Sequence, residues 1–302
     1  MNRCTQVLAD ACTKNFAELV QRAGPIRIDH LTFNASFKYS FINDPAIAVA
    51  ITGQNQFEVY ESEHGLVLPD GPAISEARLS DFLLGFTRVR KQYETVIRMR
   101  DAGVSAAWLL VSTYYCAYFA CIELSKSMGR ISLSLEEDEL AGLKLKAAGP
   151  FFNQFFQSGS SNFVGIARAG KLVFSAVGTK PHSAAWNNAL LVFRQSLGAK
   201  GWPDANHYIH LLSNDDCSPS RIRNAWNYRR SDYFGQPGEV RAREFRRLVG
   251  NQAGTTGWLA RTAGRTEALD PCIVAVLAES LAFAVCDAGR RVSALVSGAA
   301  EA

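Results

Sequence analysis

The sequence predicts a mainly α-helical chain with added β structure. Three observations predict it. From Ser75 onward apolar residues recur at helical spacing through most of the chain. Between Ile26 and Tyr60 they alternate instead, which suits strands. Residues 163–177 hold two further alternating runs on either side of Ala169-Gly170, a hairpin inserted among helices. The expected organisation is an N-terminal helix plus a small β region over 1–74, a helical bundle over 75–235 and a helical extension over 236–302.

Each element follows from its own pattern. Residues 1–23 read as a helix ending at Gly24-Pro25. Strands are expected at 26–33, 46–51 and 57–60, in an antiparallel region of three to five strands. Asn43-Asp44-Pro45, Gly53 and Pro69-Asp70-Gly71 punctuate it. Residues 80–101 form a charged helix with Phe82, Phe86, Val89, Tyr93, Val96 and Ile97 on one face. Residues 104–128 form a buried helix stopped by Gly129. Shorter helices are expected at 135–147 and 183–197, the latter with Trp186, Leu190, Leu191 and Phe193 apolar. A basic helix over 239–249 precedes a Gly/Thr-rich loop over 250–257. An apolar helix over 270–288 starts at Asp270-Pro271, and the tail after Arg291 is expected to fray.

Composition narrows the function classes. The chain has 302 residues, 48% of them hydrophobic, enough to bury the core of one elaborate domain or two. Charged residues make up 20%, so disorder is not suggested. The net charge of +4 is too small for a general polyanion trap. Seven cysteines, an odd count with no C-x-x-C pair, argue against a disulfide framework and a zinc site and favour a reducing cytoplasm. Residues 102–122 are uncharged and long enough to span a bilayer. Ser105, Ser112, Thr113, Tyr114, Tyr115 and Tyr118 make that stretch polar in its middle, and no second candidate stands out. A core helix, with no membrane, is therefore expected. The N-terminus, with Arg3, Asp10, Lys14 and Glu18 at helical spacing, does not read as a secretory leader.

No Gly-rich phosphate loop and no H-E-x-x-H occurs. The imidazoles of His207 and His210 read as part of a solvent-exposed turn after Trp202-Pro203, so no metal and no cofactor is expected. The segment with chemistry is Arg221-Ile-Arg-Asn-Ala-Trp-Asn-Tyr-Arg-Arg-Ser-Asp-Tyr233. Ser218-Pro219 starts it as a helix over 218–234. At about 100° per residue, Ile222, Ala225, Trp226 and Tyr233 share one side. Arg223, Asn227 and Arg230 line up on the other, with Asn224 and Tyr228 beside them. A solvated amphipathic face would look similar. Asn is a poor helix former, however, so two asparagines one turn apart ask for a reason. Between 221 and 247 eight arginines face three acids, Asp232, Glu239 and Glu244, an excess suited to phosphate-rich ligands.

Two segments carry a family resemblance. Ala107-Trp-Leu-Leu-Val-Ser-Thr-Tyr-Tyr-Cys-Ala-Tyr-Phe119 resembles the S-x-YYA-x-F helix of HEPN domains. Arg223-Asn-Ala-Trp-Asn-Tyr228 resembles their R-N-x-x-x-H motif, and Arg230, Asp232 and Tyr233 are similar to the ending that follows it. The resemblance covers about 75–235. It implies a HEPN-like helical bundle, paired as a homodimer or with a partner subunit, acting as an effector of prokaryotic antiviral defence. Metal-independent RNA cleavage is the implied activity, with Arg223 on the scissile phosphate and Asn224 beside it. Asn227, Arg229 and Arg230 would hold RNA or a nucleotide. Tyr228 stands where the family has histidine. A phenol with a reference pKa near ~10 is a poor base at neutral pH. Either another group such as His207 or His210 serves as base, or the module binds nucleic acid, nucleotide or protein without cutting.

Overall fold

The computed structural model describes residues 2–23, 26, 31–63, 66–68, 71–168, 170–178 and 181–301. Residues 27–30 of the strand expected at 26–33 fall outside them, as do Gly24-Pro25, Pro69-Asp70 and Ala169; the described end of that stretch is not strand, and Phe33–Ala35 forms a 3-10 turn. In chain order the helices are α1 (Arg3–Val20), α2 (Phe37–Asn43), α3 (Pro72–Asp101), α4 (Ala106–Ser127), α5 (Glu137–Lys146), α6 (Phe152–Gln157), α7 (Pro181–Leu197), α8 (Pro203–Ser213), α9 (Pro219–Asn224), α10 (Gln236–Arg241), α11 (Arg243–Leu248), α12 (Gln252–Thr262) and α13 (Cys272–Glu301). The strands are β1 (Ile47–Gly53), β2 (Gln56–Glu63), β3 (Leu66–Leu68), β4 (Arg130–Ser134), β5 (Asn162–Arg168) and β6 (Lys171–Ala176). The chain is 69% helical and 13% strand, so it is mainly α with a minor antiparallel β part. It divides into two compact units, each assembled from three stretches of sequence.

The first unit comprises 13–84, 125–184 and 289–302 and holds the sheet. The strand order is β1-β2-β6-β5-β4, with β3 on β2, and neighbouring strands run antiparallel. The early strands and the later hairpin thus share one sheet through β2–β6, with Phe57 opposite Phe174. Strand β4, too short and polar to stand out in the sequence, closes the far edge. Burial alternates along β1 and β2, as one covered face requires. That face carries Phe57, Phe163 and Phe174, overlaid by Phe37 and Phe41 of α2 and Phe155 of α6. Phe57 and Phe174 stack at 4.9 Å and 9°. Gly165 permits this, because a Cβ there would lie 2.5 Å from the Phe174 ring. Beside β1, Ile51 donates its N–H to Ala148 O at 2.7 Å. The next residue, Gly149, has φ +141° and passes so close that a Cβ would sit 2.3 Å from Ile51 O. Buried Glu61 of β2 accepts the N–H groups of Ala73 and Ile74, satisfying the start of α3.

The second unit comprises 1–12, 85–124 and 185–288 and is helical. Leu109, Leu110, Tyr114, Ala117 and Cys121 of α4 are fully buried, as are Cys116 and Ala120. Tyr114 Oη lies 3.0 Å from Ser220 Oγ and accepts from Trp186 Nε1 at 3.4 Å. The R-N segment and α7 are thereby tied to one side of α4. Glu279 of α13 accepts from Tyr93 Oη at 2.7 Å and from Gly250 N at 2.6 Å. Burial raises the Glu279 carboxyl above its usual pKa.

Several expectations need correction. The 104–128 helix is not wholly buried: Trp108 is 53% exposed, and Tyr115, Phe119 and Ile122 are half-buried. These positions share a line on α4, and the helix has more apolar surface than its packed side takes up. The 250–257 loop is in fact the start of α12. Asn251 Oδ1 accepts from Gly254 N at 2.9 Å, and this cap offsets the poor propensity of the Gly/Thr run. The tail after Arg291 continues in α13, held by buried Val292 and Val296. Finally, among the described residues two helical stretches rather than one are long and apolar enough to cross a membrane, Ala106–Ser127 and Cys272–Gly298, the second more deeply buried.

Candidate nucleic-acid interface

The R-N segment is placed by its apolar side. Pro219 opens α9, and Ile222 and Trp226 sink into the core with 0% and 1% exposure. The segment does not continue as one α-helix to 234. Residues 225–229 form a π-turn, closed by Arg230 N–H donating to Ala225 O at 3.0 Å, and a short 3-10 turn over 231–234 follows. Arg230 has φ −124° and ψ 78°, outside helical values. The expected line of Arg223, Asn227 and Arg230 therefore does not exist. The extra residue in the turn lets both Trp226 and Tyr233 reach the core, where their rings meet at 4.4 Å.

Arg223 is the best-positioned of the predicted residues. Its guanidinium lies 4.8 Å from the Tyr114 ring centre and 5.8 Å from that of Tyr115. Nη1 donates to Tyr115 Oη at 3.1 Å. Nε and Nη2 donate to Asn224 Oδ1 at 3.2 and 2.7 Å. Three of its five N–H groups are used, which leaves two without a protein acceptor among the described residues. The two motifs, read separately in the sequence, thus meet in one cluster. Tyr114 and Tyr115, marked in the sequence only by the double tyrosine of the 107–119 segment, line Arg223, and Ser220, which carried no signal, bonds Tyr114. Burial raises the Tyr114 phenol above its usual pKa, so it stays protonated at neutral pH.

The other candidates separate. Tyr228 is 72% exposed. Asn227 is half-buried and Arg229 is exposed. Arg230 pairs with Asp232 through two hydrogen bonds of 3.0 and 2.9 Å and lies over the Tyr233 ring at 4.6 Å. Near the segment, exposed Trp108 meets exposed Phe234 edge-on at 6.2 Å.

His207 does not sit in an exposed turn. It lies on α8, only 4% exposed. Nδ1 is 3.0 Å from Leu259 O and Nε2 is 2.9 Å from Thr266 Oγ1, so both ring nitrogens are taken. Leu259 O can only accept, which fixes Nδ1 as the protonated nitrogen. Burial lowers the imidazole pKa. His207 is thereby excluded as a free base. His210 is exposed, its ring 6.5 Å from that of His207. Comparison with family models, curated proteins and solved structures returns no match.

Proposed function

We propose that the chain is a HEPN-like module that binds single-stranded RNA without cutting it, acting in the cytoplasm as a component of prokaryotic antiviral defence. The observation that carries this reading is the state of Arg223. Its plane is fixed by two tyrosine rings and by Asn224, and two N–H groups remain for phosphate oxygens. Exposed Tyr228, with Arg229 beside it in the chain, offers a stacking ring next to positive charge, which suits unpaired bases. Binding is favoured over cleavage because two of the three candidate bases are unsuited to neutral pH, which leaves only exposed His210 to the cleaving reading. Tyr228 is a phenol, and His207 has no free nitrogen.

A second reading keeps metal-independent endoribonuclease activity. Arg223 and Asn224 do sit together as that chemistry needs, and RNA brings its own 2′-OH nucleophile. Under either reading the exposed Trp108 and Phe234 favour self-association or a partner subunit, since aromatic and arginine side chains are enriched at such interfaces.

The test incubates full-length protein with labelled single-stranded RNA in chelator, following anisotropy and strand length. Binding with intact RNA, weakened about tenfold by Arg223→Ala, is expected, since a charge-assisted contact contributes about 1.5–3 kcal/mol. Cleavage that disappears in Arg223→Ala replaces this reading with the second. Neither binding nor cleavage removes both. Sedimentation of wild type and Trp108→Ser checks the self-association.

A further inference from the structure

The helical unit has another basic feature that the R-N cluster does not use. Helices α10, α11 and α12 border a cleft of about 560 Å³ lined by Arg241, Arg243, Arg247 and Arg261, together with Glu244 and Asn251. Four guanidinium groups face one carboxylate there. Glu244 is already engaged, its Oε1 2.9 Å from Arg261 Nη2. Arg243 and Arg247 are exposed and have no acidic partner among the described residues. Asn251 is held in place, donating to Arg247 O at 3.2 Å and accepting from Gly254 N at 2.9 Å.

Unpaired like charges around a concavity repel one another over distances within the Debye length of about 8–10 Å. Folding gains nothing from that arrangement, whereas a polyanion would relieve it. The other lining side chains argue for phosphate groups rather than a nucleobase. Val240 and Leu248 are the apolar ones, and among the described residues no aromatic ring lines the cleft to stack on a base. The cleft also adjoins the R-N segment through Tyr233, although Arg230 there is paired with Asp232. Arg241 lies 5.8 Å from the centre of the Tyr233 ring, and Arg230 lies 4.6 Å from it.

We propose that this arginine cleft holds the phosphodiester backbone of the same single-stranded RNA, extending its path from the R-N cluster over α10–α12. The assignment rests on the reading of the chain as an RNA binder. Arg243 and Arg247 supply the contacts, and Arg261 shifts between Glu244 and phosphate.

Full-length protein carrying Arg243→Glu and Arg247→Glu is titrated with labelled oligouridine across a salt series, beside wild type and Arg223→Ala. Both side chains are exposed, so circular dichroism should be unchanged. The expected result is a loss of affinity on the order of 10- to 100-fold and a salt slope shallower by about 1.4, since each single-strand phosphate contact contributes roughly 0.7. The paired Arg→Lys variant should keep the slope. Wild-type affinity and slope in the Arg→Glu variant, with binding lost in Arg223→Ala, overturn the cleft and leave the R-N reading standing. Wild type that binds inorganic tripolyphosphate but not oligouridine overturns both.

Discussion

Around Phe57 in the sheet-bearing unit, six phenylalanines meet ring to ring: Phe37, Phe41, Phe57, Phe155, Phe163 and Phe174. In the helical unit several buried large residues carry polar atoms that are bonded. Tyr114 meets Ser220 and Trp186, Tyr208 meets Ser280, Tyr93 meets Glu279, and His207 meets Leu259 and Thr266. The first core is held by apolar area, which is non-directional. The second adds to its own apolar area a set of directed bonds, which fix angles at the cost of desolvating polar groups. The teaching of the contrast is that a guanidinium such as Arg223 can be aimed only where directed bonds set its surroundings.

The largest effect should come from the apolar side of this contrast. Phe57→Ala, at a site with 0% exposure, should cost about 3–5 kcal/mol in denaturant unfolding. A loss below about 1 kcal/mol would mean that the rings do not hold that core. Gly149→Ala should also be severe, because its φ is +141° and Ile51 O leaves no room; melting near the wild-type temperature would contradict that crossing.

On the polar side, Glu279→Ala leaves Tyr93 Oη and Gly250 N–H unsatisfied and should cost about 1–3 kcal/mol. Glu279→Gln sharpens the test through pH. Burial raises the folded-state pKa above the ordinary glutamate value of 4.5, so between that value and the folded pKa the folded state binds more protons than the unfolded. This carboxyl therefore makes wild type lose stability as pH rises through that window. In Glu279→Gln that contribution should vanish; identical pH slopes in the two proteins would refute it. His207 has the opposite sign. Its folded pKa lies below 6.5, so its contribution is present above pH 6.5 and is lost as pH falls through the folded value. Nuclear magnetic resonance of the imidazole should show a midpoint below 6.5; one above it would remove the assigned bonds.

The smallest effects belong to half-buried Arg223 and exposed Trp108. Arg223→Lys keeps the charge but loses the planar fork, and should lower stability by about 1 kcal/mol or less while weakening RNA binding. Trp108→Ser should change stability by less than about 0.5 kcal/mol. A large loss there would show that the exposed ring is structural after all.

Much of the fold was legible because its signals are local. The alternation in β1 and β2, the hairpin at β5–β6 and the long apolar runs of α4 and α13 all follow from residue period. What escaped was non-local. Strand β4 is five residues long and is defined by its pairing with β5. Helix α12 depends on one asparagine cap outweighing its glycines. Trp108 is as apolar as its buried neighbours, and only the packing around α4 shows that it faces outward. At the candidate site, the arginine and asparagine of the motif were visible, but the contact of Arg223 with Tyr115 joins residues 108 positions apart. His207 looked available because a sequence does not show that Leu259 and Thr266 close over it.

The π-turn at 225–229 bears on how such a motif is spelled. Counting residues from Arg223 assumes a constant rotation per letter, but here one letter more is wound into the turn than an α-helix would take. Position 228 is therefore out of phase with the place that the same spacing marks on a straight helix, and its ring stands in solvent. In this segment the length of the word matters as much as its letters. Removing one residue between Asn224 and Arg230 would rephase everything downstream, which no substitution at 228 can do.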